Sequence, residues 1–571
     1  MTVNVNQDVA DSIETPTAMD ESEPQRHVSD RDDKRRIVIN AGSNAGVMAA
    51  KVAVVFFCTP ILVHNLGDTR YGIWMFVSSF TAYLALGDFG LKGAVMRFVA
   101  RHDGLADRDG INRVFNTGLA ILTCMGAVVI AISALLTYFW WSPSSVPADL
   151  NAETRRFFLL SGVLVAMLLP GSVPNSLLAG LGRFPARNAV SLLSLFMRQA
   201  LLVGVVWCGG KLVTVGIVLV SQCVLDFAMI YWMARRCFPQ LTCSLRYVDR
   251  ATAREICGYG FHLFVGDVAF LAICQSAPLL IGAFLHSPKY ITYFSLGASL
   301  KDYALSILGT LAFVLIPAIS KWQATNNYAA IRSVLIHATR HALYFTAPIE
   351  VGLLSLGYPF LKLWMGREYA DACYVTLAIL SVPLALSAVG MVASRFLQGI
   401  GKVRALAILT IVQAVLTVGL GAALVRPFGI AGVAWGFSLA VALCALPTAI
   451  LVCRSVHVGV ANYLLSASAG PIAASAVAGC AWWGAQRCIH IDNWIAFVAV
   501  GIIGMAPYGV VVLLAEPDIR KMSGRLLRQY IGKLTSASTG PIADNGAASE
   551  SSPDVQLDDL SLPMPACAIE K

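Results

Sequence analysis

The sequence predicts an all-α protein that crosses a membrane many times, and three observations predict it. Apolar runs of about 20 residues recur from near Asn40 to Ala515, and one such run, as a helix, crosses roughly 30 Å of hydrocarbon. Only 13% of the 571 residues are charged and the mean hydropathy is +0.69, whereas a soluble domain carries about 25% charged residues. Short similar stretches also return at a nearly constant interval along the chain. The runs are unbroken rather than alternating, which excludes a membrane β-barrel.

The pattern predicts fourteen spans, at 39–63, 71–90, 114–138, 157–179, 188–208, 212–233, 258–285, 290–316, 337–358, 373–397, 404–425, 430–452, 467–486 and 494–515. The run at 337–358 is interrupted by Arg340, His341 and Glu350. Basic residues gather in alternate loops: Arg97, Arg101, Arg108 and Arg113, then Arg183 and Arg187, then Arg235, Arg236, Arg246, Arg250 and Arg254. The intervening loops hold few, such as Arg70, Arg155, Arg156 and Lys211. This asymmetry places both termini in the cytoplasm. It also accounts for the net charge of +9 without a basic face suited to nucleic acid.

Residues 1–37 are polar and acidic and end in Arg31–Arg36 (RDDKRR), the opposite of a cleavable signal. Residues 516–571 become rich in Ser, Ala, Pro and Asp. Both tails are expected to be cytoplasmic and largely disordered.

Pro60 and the three residues after it resemble Pro278 and its followers. Tyr71 and Tyr290 open the next spans. LLAGLGRFPAR (Leu177–Arg187) resembles FLQGIGKVRAL (Phe396–Leu406), and Arg236 and Arg454 close the sixth and twelfth spans. These matches share offsets of 218 or 219 residues. Six spans separate the copies, so both copies have the same orientation and the axis relating them runs along the membrane normal. The expectation is two six-helix lobes, 38–236 and 255–454, with a cavity between them, plus two added helices at 467–515.

Charges deep inside spans carry the functional argument. A charge at a helix centre costs about 2.5–3.5 kcal/mol on insertion scales, yet Lys51, Arg198, Asp226, Asp267, Lys301, Asp302 and Glu350 all lie within apolar runs. They should face a watery passage or one another. Lys301 and Asp302 are sequence neighbours about 100° apart on a helix and are not expected to pair. Lys51 and Asp267, at similar heights in equivalent helices, are candidates for a pair across the cavity. In the functional alternative Lys51, Arg198 and Lys301 receive an anionic group, while Asp226, Asp267, Asp302 and Glu350 tune them or carry a coupling ion, H+ or Na+.

A further cluster ends the second span. Asp88 and Lys92 are spaced i, i+4, flanked by Gly87 and Gly90, and Arg97 and Arg101 follow toward an anionic membrane surface. Plain helix termination by cytoplasmic charges explains this stretch. An inner gate of Asp88, Lys92 and Arg97 is the sharper alternative.

Other residues carry less. The fourteen cysteines form no CxxC pair and mostly sit in apolar runs, where they behave as small hydrophobes. His337 and His341 lack the glutamate of a zinc-protease helix. Tyr138, Phe139, Trp140, Trp141, Trp364, Trp482 and Trp483 suit interfacial belts, with sugar stacking as the alternative. No metal or organic cofactor is expected, no phosphate-binding P-loop is present, and no catalytic constellation appears.

Leu66-Gly67-Asp68-Thr69-Arg70-Tyr71-Gly72-Ile73-Trp74, then Asp88-Phe89-Gly90-Leu91 and Arg97, together with 178–183 and 397–402, resemble the polysaccharide transporters of the multidrug/oligosaccharidyl-lipid/polysaccharide flippase superfamily. The resemblance covers about 35–530. It implies a bacterial inner-membrane protein that moves polyprenyl-diphosphate-linked oligosaccharides outward by alternating access. Implied partners are that lipid-linked sugar, membrane lipids, a polysaccharide polymerase and chain-length or export proteins. A groove for the lipid tail beside the last two helices is carried over from the lipid II branch. The rivals are a cation-coupled drug antiporter on the same fold, a membrane-embedded polymerase or ligase, and a non-transporting scaffold. The three cations argue against the first, and short outer loops argue against the second.

Overall fold

In hydrocarbon a backbone amide finds no water, so each spanning segment must satisfy its own peptide groups, and a helix does so. The computed structural model describes residues 30–139, 146–313 and 315–516. Among these residues the chain forms sixteen α-helices and no strand. They are α1 (Asp30–Leu66), α2 (Asp68–Leu84), α3 (Leu91–Gly104), α4 (Arg108–Phe139), α5 (Asn151–Gly180), α6 (Phe184–Trp207), α7 (Leu212–Cys237) and α8 (Arg250–Leu285). There follow α9 (Pro288–Phe313), α10 (Leu315–Ala324), α11 (Tyr328–Met365), α12 (Arg367–Ser381), α13 (Leu384–Gly399), α14 (Val403–Val456), α15 (Val460–Cys488) and α16 (Trp494–Ala515). Residues 1–511 form one unit and 512–571 a second. In the second, Glu516 N–H donates to Val512 O at 3.0 Å and closes the last turn of α16.

The expected runs fall mainly on helices, and length and apolarity alone do not confirm the number fourteen. Among the described residues ten helices are long and apolar enough to cross a membrane, or eleven if α12 and α13, bent by 45°, count as one. Two helices differ from the expected runs. The run expected at 71–90 stops at Leu84. A short 3₁₀ turn follows at Ala85–Asp88, and Phe89 and Gly90 adopt left-handed φ of 44° and 72°, so α3 starts afresh. The interrupted run at 337–358 lies in one unbroken helix of 38 residues, α11.

In α14 the expected division between two runs is kept. Its 54 residues hold two expected runs, and at Gly429 (φ 59°, ψ −137°) the helical path breaks. A Cβ at 436 would lie 2.4 Å from Gly421 N, and one at 432 would lie 1.9 Å from Leu424 O. The paired positions sum to a nearly constant value, so 403–428 and 430–456 run antiparallel in contact. Small residues let two backbones approach this closely.

At the N-terminus, α1 starts at Asp30, ahead of the boundary expected at 38. The remaining tail residues, and Trp140 and Trp141, lie outside the described residues.

Local geometry recurs at the expected interval. Arg183 N–H bonds to Leu178 O and Gly182 N–H to Ala179 O; Lys402 N–H bonds to Leu397 O and Gly401 N–H to Gln398 O, with distances of 2.9 and 3.1 Å in each copy. Both are the same glycine-capped helix end. Likewise α1 packs on α6, and α8 packs on α14.

The helices alternate in direction and so define two rims, one where α2 starts at Asp68 and one where it ends near Asp88. The apolar core differs between them. Toward the Asp68 rim the main cluster joins both sequence halves: Leu62, Ile73, Val77 and Phe158 pack with Tyr293, Leu296, Trp364 and Leu377, and a smaller one of Ile281, Ile291, Phe294 and Val425 has Met75 and Phe76 of α2 packed on it. Toward the Asp88 rim there are two clusters. One holds Leu91, Val99, Phe115 and Leu177 with Ile256 of α8. The other holds Leu308, Ile319, Leu335 and Phe396 with Val452 and Tyr463. The halves share a core at the Asp68 rim; at the Asp88 rim the core is in two clusters, with α8 of the second half packed on the first.

The α14 hairpin gives a direct test. Gly436→Ala should lower stability by about 1–3 kcal/mol through overpacking, read as a fall in the thermal unfolding midpoint in detergent. An unchanged midpoint would mean that the two arms do not touch.

Candidate functional site

The shared rim is closed by polar bonds around one carboxylate. Asp68, in the first turn of α2, accepts from Tyr293 OH of α9 at 3.1 Å and from Tyr369 OH of α12. Lys289 Nζ lies 3.7 Å from the same carboxylate and 3.4 Å from Glu368. Thr292 Oγ1 donates to Asp68 O at 2.7 Å. A Cβ at 72 would lie 1.9 Å from Pro288 O, so the starts of α2 and α9 are in backbone contact. Deeper, Ser79 Oγ donates to Gln275 Oε1 at 2.8 Å, and the Phe56 and Trp364 rings stack at 4.9 Å. Glu153 of α5 fixes the neighbouring helices, pairing with Arg70 Nε at 3.2 Å and accepting from Leu212 N–H at 2.8 Å. Hydrogen bonds to a charged group are worth about 1.5–3 kcal/mol each, so this rim is a substantial cross-half latch.

The charges expected inside the spans meet different fates. Lys301 and Asp302 do pair, at 2.7 Å, contrary to the expectation from their angular separation. The lysine's four-carbon stem reaches back around the helix, so directions at Cβ do not settle where the ammonium ends. Lys301 is 5% exposed and its ammonium also sits 4.2 Å from the Phe437 ring centroid, whereas Asp302 is 58% exposed. The surroundings of α9 are α1, α2, α8, α12 and α13.

Lys51 does not pair with Asp267. It is exposed, with no ion-pair partner among the described residues, although it shares a stripe of α1 with Val55, buried Thr59 and buried Leu62. Arg198, half-buried on α6, likewise has no ion-pair partner among the described residues. Asp226 of α7 is satisfied by neutral donors, Ser194 Oγ at 2.5 Å and Gln222 Nε2 at 2.7 Å. Glu350 of α11 accepts from Ala385 N–H at 2.9 Å. It thereby caps the first turn of α13 at the 45° bend, where a negative charge offsets the positive end of the helix.

At the other rim, Asp88 and Lys92 pair at 2.8 Å, but across the break at Phe89–Gly90 rather than along a helix. Asp88 also accepts from Gly90 N–H at 3.2 Å. Both partners belong to the same segment, so their contact sets the start of α3 and does not itself join the halves. Contact with the second half runs through α8: the Phe89 ring lies 4.8 Å from Phe264, and Asp267 is within electrostatic range of Asp88 and Lys92. Arg97 is exposed on α3.

Sequence reasoning missed the latch. Asp68 was read only as part of a motif, and Tyr293 and Tyr369 not at all. The available signal was an acid at the start of one span facing Lys289 at the start of its counterpart. Nothing in the sequence brings Tyr369 to either. His337 and His341 turn their Nδ1 atoms to carbonyls one turn earlier, at 2.7 and 2.6 Å.

The latch is testable through a native thiol. Cys373 is buried beside Asp68. Asp68→Ala should raise its maleimide labelling about tenfold, measured peptide by peptide by mass spectrometry, because losing charged hydrogen bonds favours the open rim. Unchanged labelling would show that the carboxylate does not hold the rim shut.

Comparison with known proteins agrees with this architecture. A family model described as polysaccharide biosynthesis protein matches residues 38–323, half of the chain. The membrane protein EpsK of Bacillus subtilis (strain 168), itself uncharacterized, is 22% identical over 496 residues, covering 83% of this chain and 94% of that one. Among solved structures, the lipid II flippase MurJ in an inward closed conformation superposes with a TM-score of 0.65 at 12% identity, over 84% of this chain and 99% of that one. An inward-facing multidrug resistance MATE family transporter gives 0.61 at 16% identity, over 72% and 98%. The chain therefore belongs to the polysaccharide biosynthesis protein family and carries the fold of the membrane transporters of the multidrug/oligosaccharidyl-lipid/polysaccharide superfamily.

Proposed function

We propose that the protein is a flippase that carries polyprenyl-diphosphate-linked oligosaccharide repeat units across the bacterial inner membrane for polysaccharide assembly, by alternating access. The observation that carries this reading is the core shared at the Asp68 rim and divided at the Asp88 rim, with ionic side chains of α1, α8 and α9 on the divided side. Membership in the polysaccharide family and the fold shared with a lipid II flippase support it. On this reading the basic loops make the Asp88 rim and both termini cytoplasmic.

On this reading the protein lowers the cost of moving a polar headgroup through hydrocarbon by replacing its water with fixed charges. Lys51 and Arg198, which have no ion-pair partner among the described residues, meet the diphosphate first. Lys301 joins only if the anion displaces Asp302. Breaking that pair and neutralising the cations brings the halves together on the cytoplasmic side, and the Asp68 latch opens in exchange. Two states of similar energy are what such an exchange requires. The polyprenyl tail stays in lipid. Asp226, Asp267 and Glu350 are the carboxylates through which H+ or Na+ would couple. No covalent step and no organic cofactor enter the mechanism. A polymerase and export proteins would take the product.

Reconstituted vesicles loaded with a lipid-linked oligosaccharide test the proposal. Lys51→Ala and Arg198→Ala should each reduce translocation about tenfold or more at equal protein level, since a charge-assisted contact is worth about 1.5–3 kcal/mol. Wild-type rates in both variants would exclude the cationic passage. Drug efflux without oligosaccharide transfer would select the antiporter instead.

A further inference from the structure

Asn112 and Asn116 stand one helical turn apart on α4 and face the chain 238–249 that joins α7 to α8. Asn112 Nδ2 donates to Gln240 O at 3.1 Å, and its Oδ1 accepts from Thr242 N–H at 3.0 Å. Asn116 repeats the pattern two residues on, with Thr242 O at 2.8 Å and Ser244 N–H at 2.9 Å. Each side-chain amide thus takes the place of a peptide group in a neighbouring strand. The spacing fits, because four helical residues rise about 6.0 Å and two extended residues about 6.8 Å. Thr117 Oγ1 continues the contact by accepting from Asp249 N–H at 3.1 Å. All three side chains are buried, so the connecting chain is held as a strap on α4.

The strap presents a definite outer surface. Leu245, at its bend, is 85% exposed, and Val248 is exposed beside it. Between strap and α4 lies a cavity of about 590 Å³ lined by Asp109, Arg113, Arg246, Tyr247, Val248 and Asp249. Its acids are engaged. Asp249 caps α8 by accepting from Thr252 N–H and Thr252 Oγ1, both at 2.8 Å, and this bonding holds its carboxyl below the usual carboxylate range. Asp109 lies 3.5 Å from Tyr247 OH. The guanidinium of Arg246 has no partner among the described residues. Arg113 reaches Asp107 only at 3.6 Å, and that acid already accepts from Gly110 N–H and pairs with His102. The lining is balanced in formal charge, two arginines against two aspartates, but the aspartates are held by contacts of their own, so the Arg246 guanidinium and the loosely paired Arg113 are left as donors for an anion. The cavity sits where α4 begins and α7 ends, at the level where a bilayer's headgroups start.

We propose that this cavity binds the headgroup phosphate of an anionic phospholipid, with Arg113 and Arg246 on the phosphate and the acyl chains against Leu245 and Val248. Guanidinium groups match phosphate oxygens in geometry, and cations at this level gain from an anionic leaflet. A free phosphate would satisfy the arginines but leave Leu245 in water. The strap connects the two sequence halves, so the bound lipid would be a structural ligand of the joint. The inference rests on the chain spanning a membrane and goes beyond the transport reading, since it holds whatever cargo is carried.

Full-length protein from nanodiscs of equal phosphatidylglycerol and phosphatidylcholine, followed by native mass spectrometry, tests it. Wild type should retain phosphatidylglycerol preferentially. The Arg113→Gln/Arg246→Gln variant should lose that preference about thirtyfold, at about 1 kcal/mol per basic residue. Arg246→Gln alone, at an exposed position, should lose about fivefold on the same basis and serves if the double variant does not fold. Leu245→Ser should weaken retention, and excess inorganic phosphate should not displace the lipid. Equal retention of the two lipids, unchanged retention in the arginine variants, or displacement by inorganic phosphate would each overturn the proposal.

Discussion

Asp68 holds its carboxylate between Tyr293 of α9 and Tyr369 of α12, with Lys289 beside it. That arrangement needs the starts of three helices, from both halves of the sequence, at one rim. Once they meet, the large apolar side chains below them merge into a single core. Among the described residues the opposite rim has no equivalent acid–tyrosine cluster, and its core stays in two clusters, with α8 packed on the first. A bundle tied at one end and divided at the other is asymmetric along the membrane normal, and that asymmetry is what a transporter must be able to reverse.

The charges within the spans show how a membrane protein keeps ionic groups it cannot simply hydrate. Lys301 is covered by its neighbour Asp302 and by the face of Phe437. Asp226 takes neutral donors from α6 and α7. Glu350 is used structurally, against the start of α13. Lys51 and Arg198 differ from these in having no ion-pair partner among the described residues. A charge within an apolar span is expensive, and these two are not offset by a carboxylate, which is why they, and not the paired ones, carry the functional reading.

The strap on α4 solves a related problem at the membrane surface. An extended connection beside a helix end would leave its peptide groups short of partners, and Asn112 and Asn116 supply them. Two asparagines one turn apart at the start of an apolar run carry no evident role in the sequence. In the structure they are the fixed rungs that hold the joint between the halves.

The sequence by itself determined the class of fold, because apolar runs long enough to span and a shortage of charge leave only helices in lipid. It also determined the repeat, since Gly182 with Arg183 and Gly401 with Lys402 build the same helix end at a fixed interval. Its division between 425 and 430 falls at the Gly429 break, whereas the restart at Phe89 and Gly90 turns on backbone dihedrals that no hydrophobic pattern shows. The sequence misjudged Lys301 and Asp302, because side-chain reach is not visible in helical angles. Only the tertiary structure decided which rim is closed and which residues close it. Asp68, Lys289, Tyr293 and Tyr369 are separated by up to 301 residues, and nothing local to any of them specifies the others. Their meeting is set by packing between helices, which the chain encodes as a whole and no segment encodes alone.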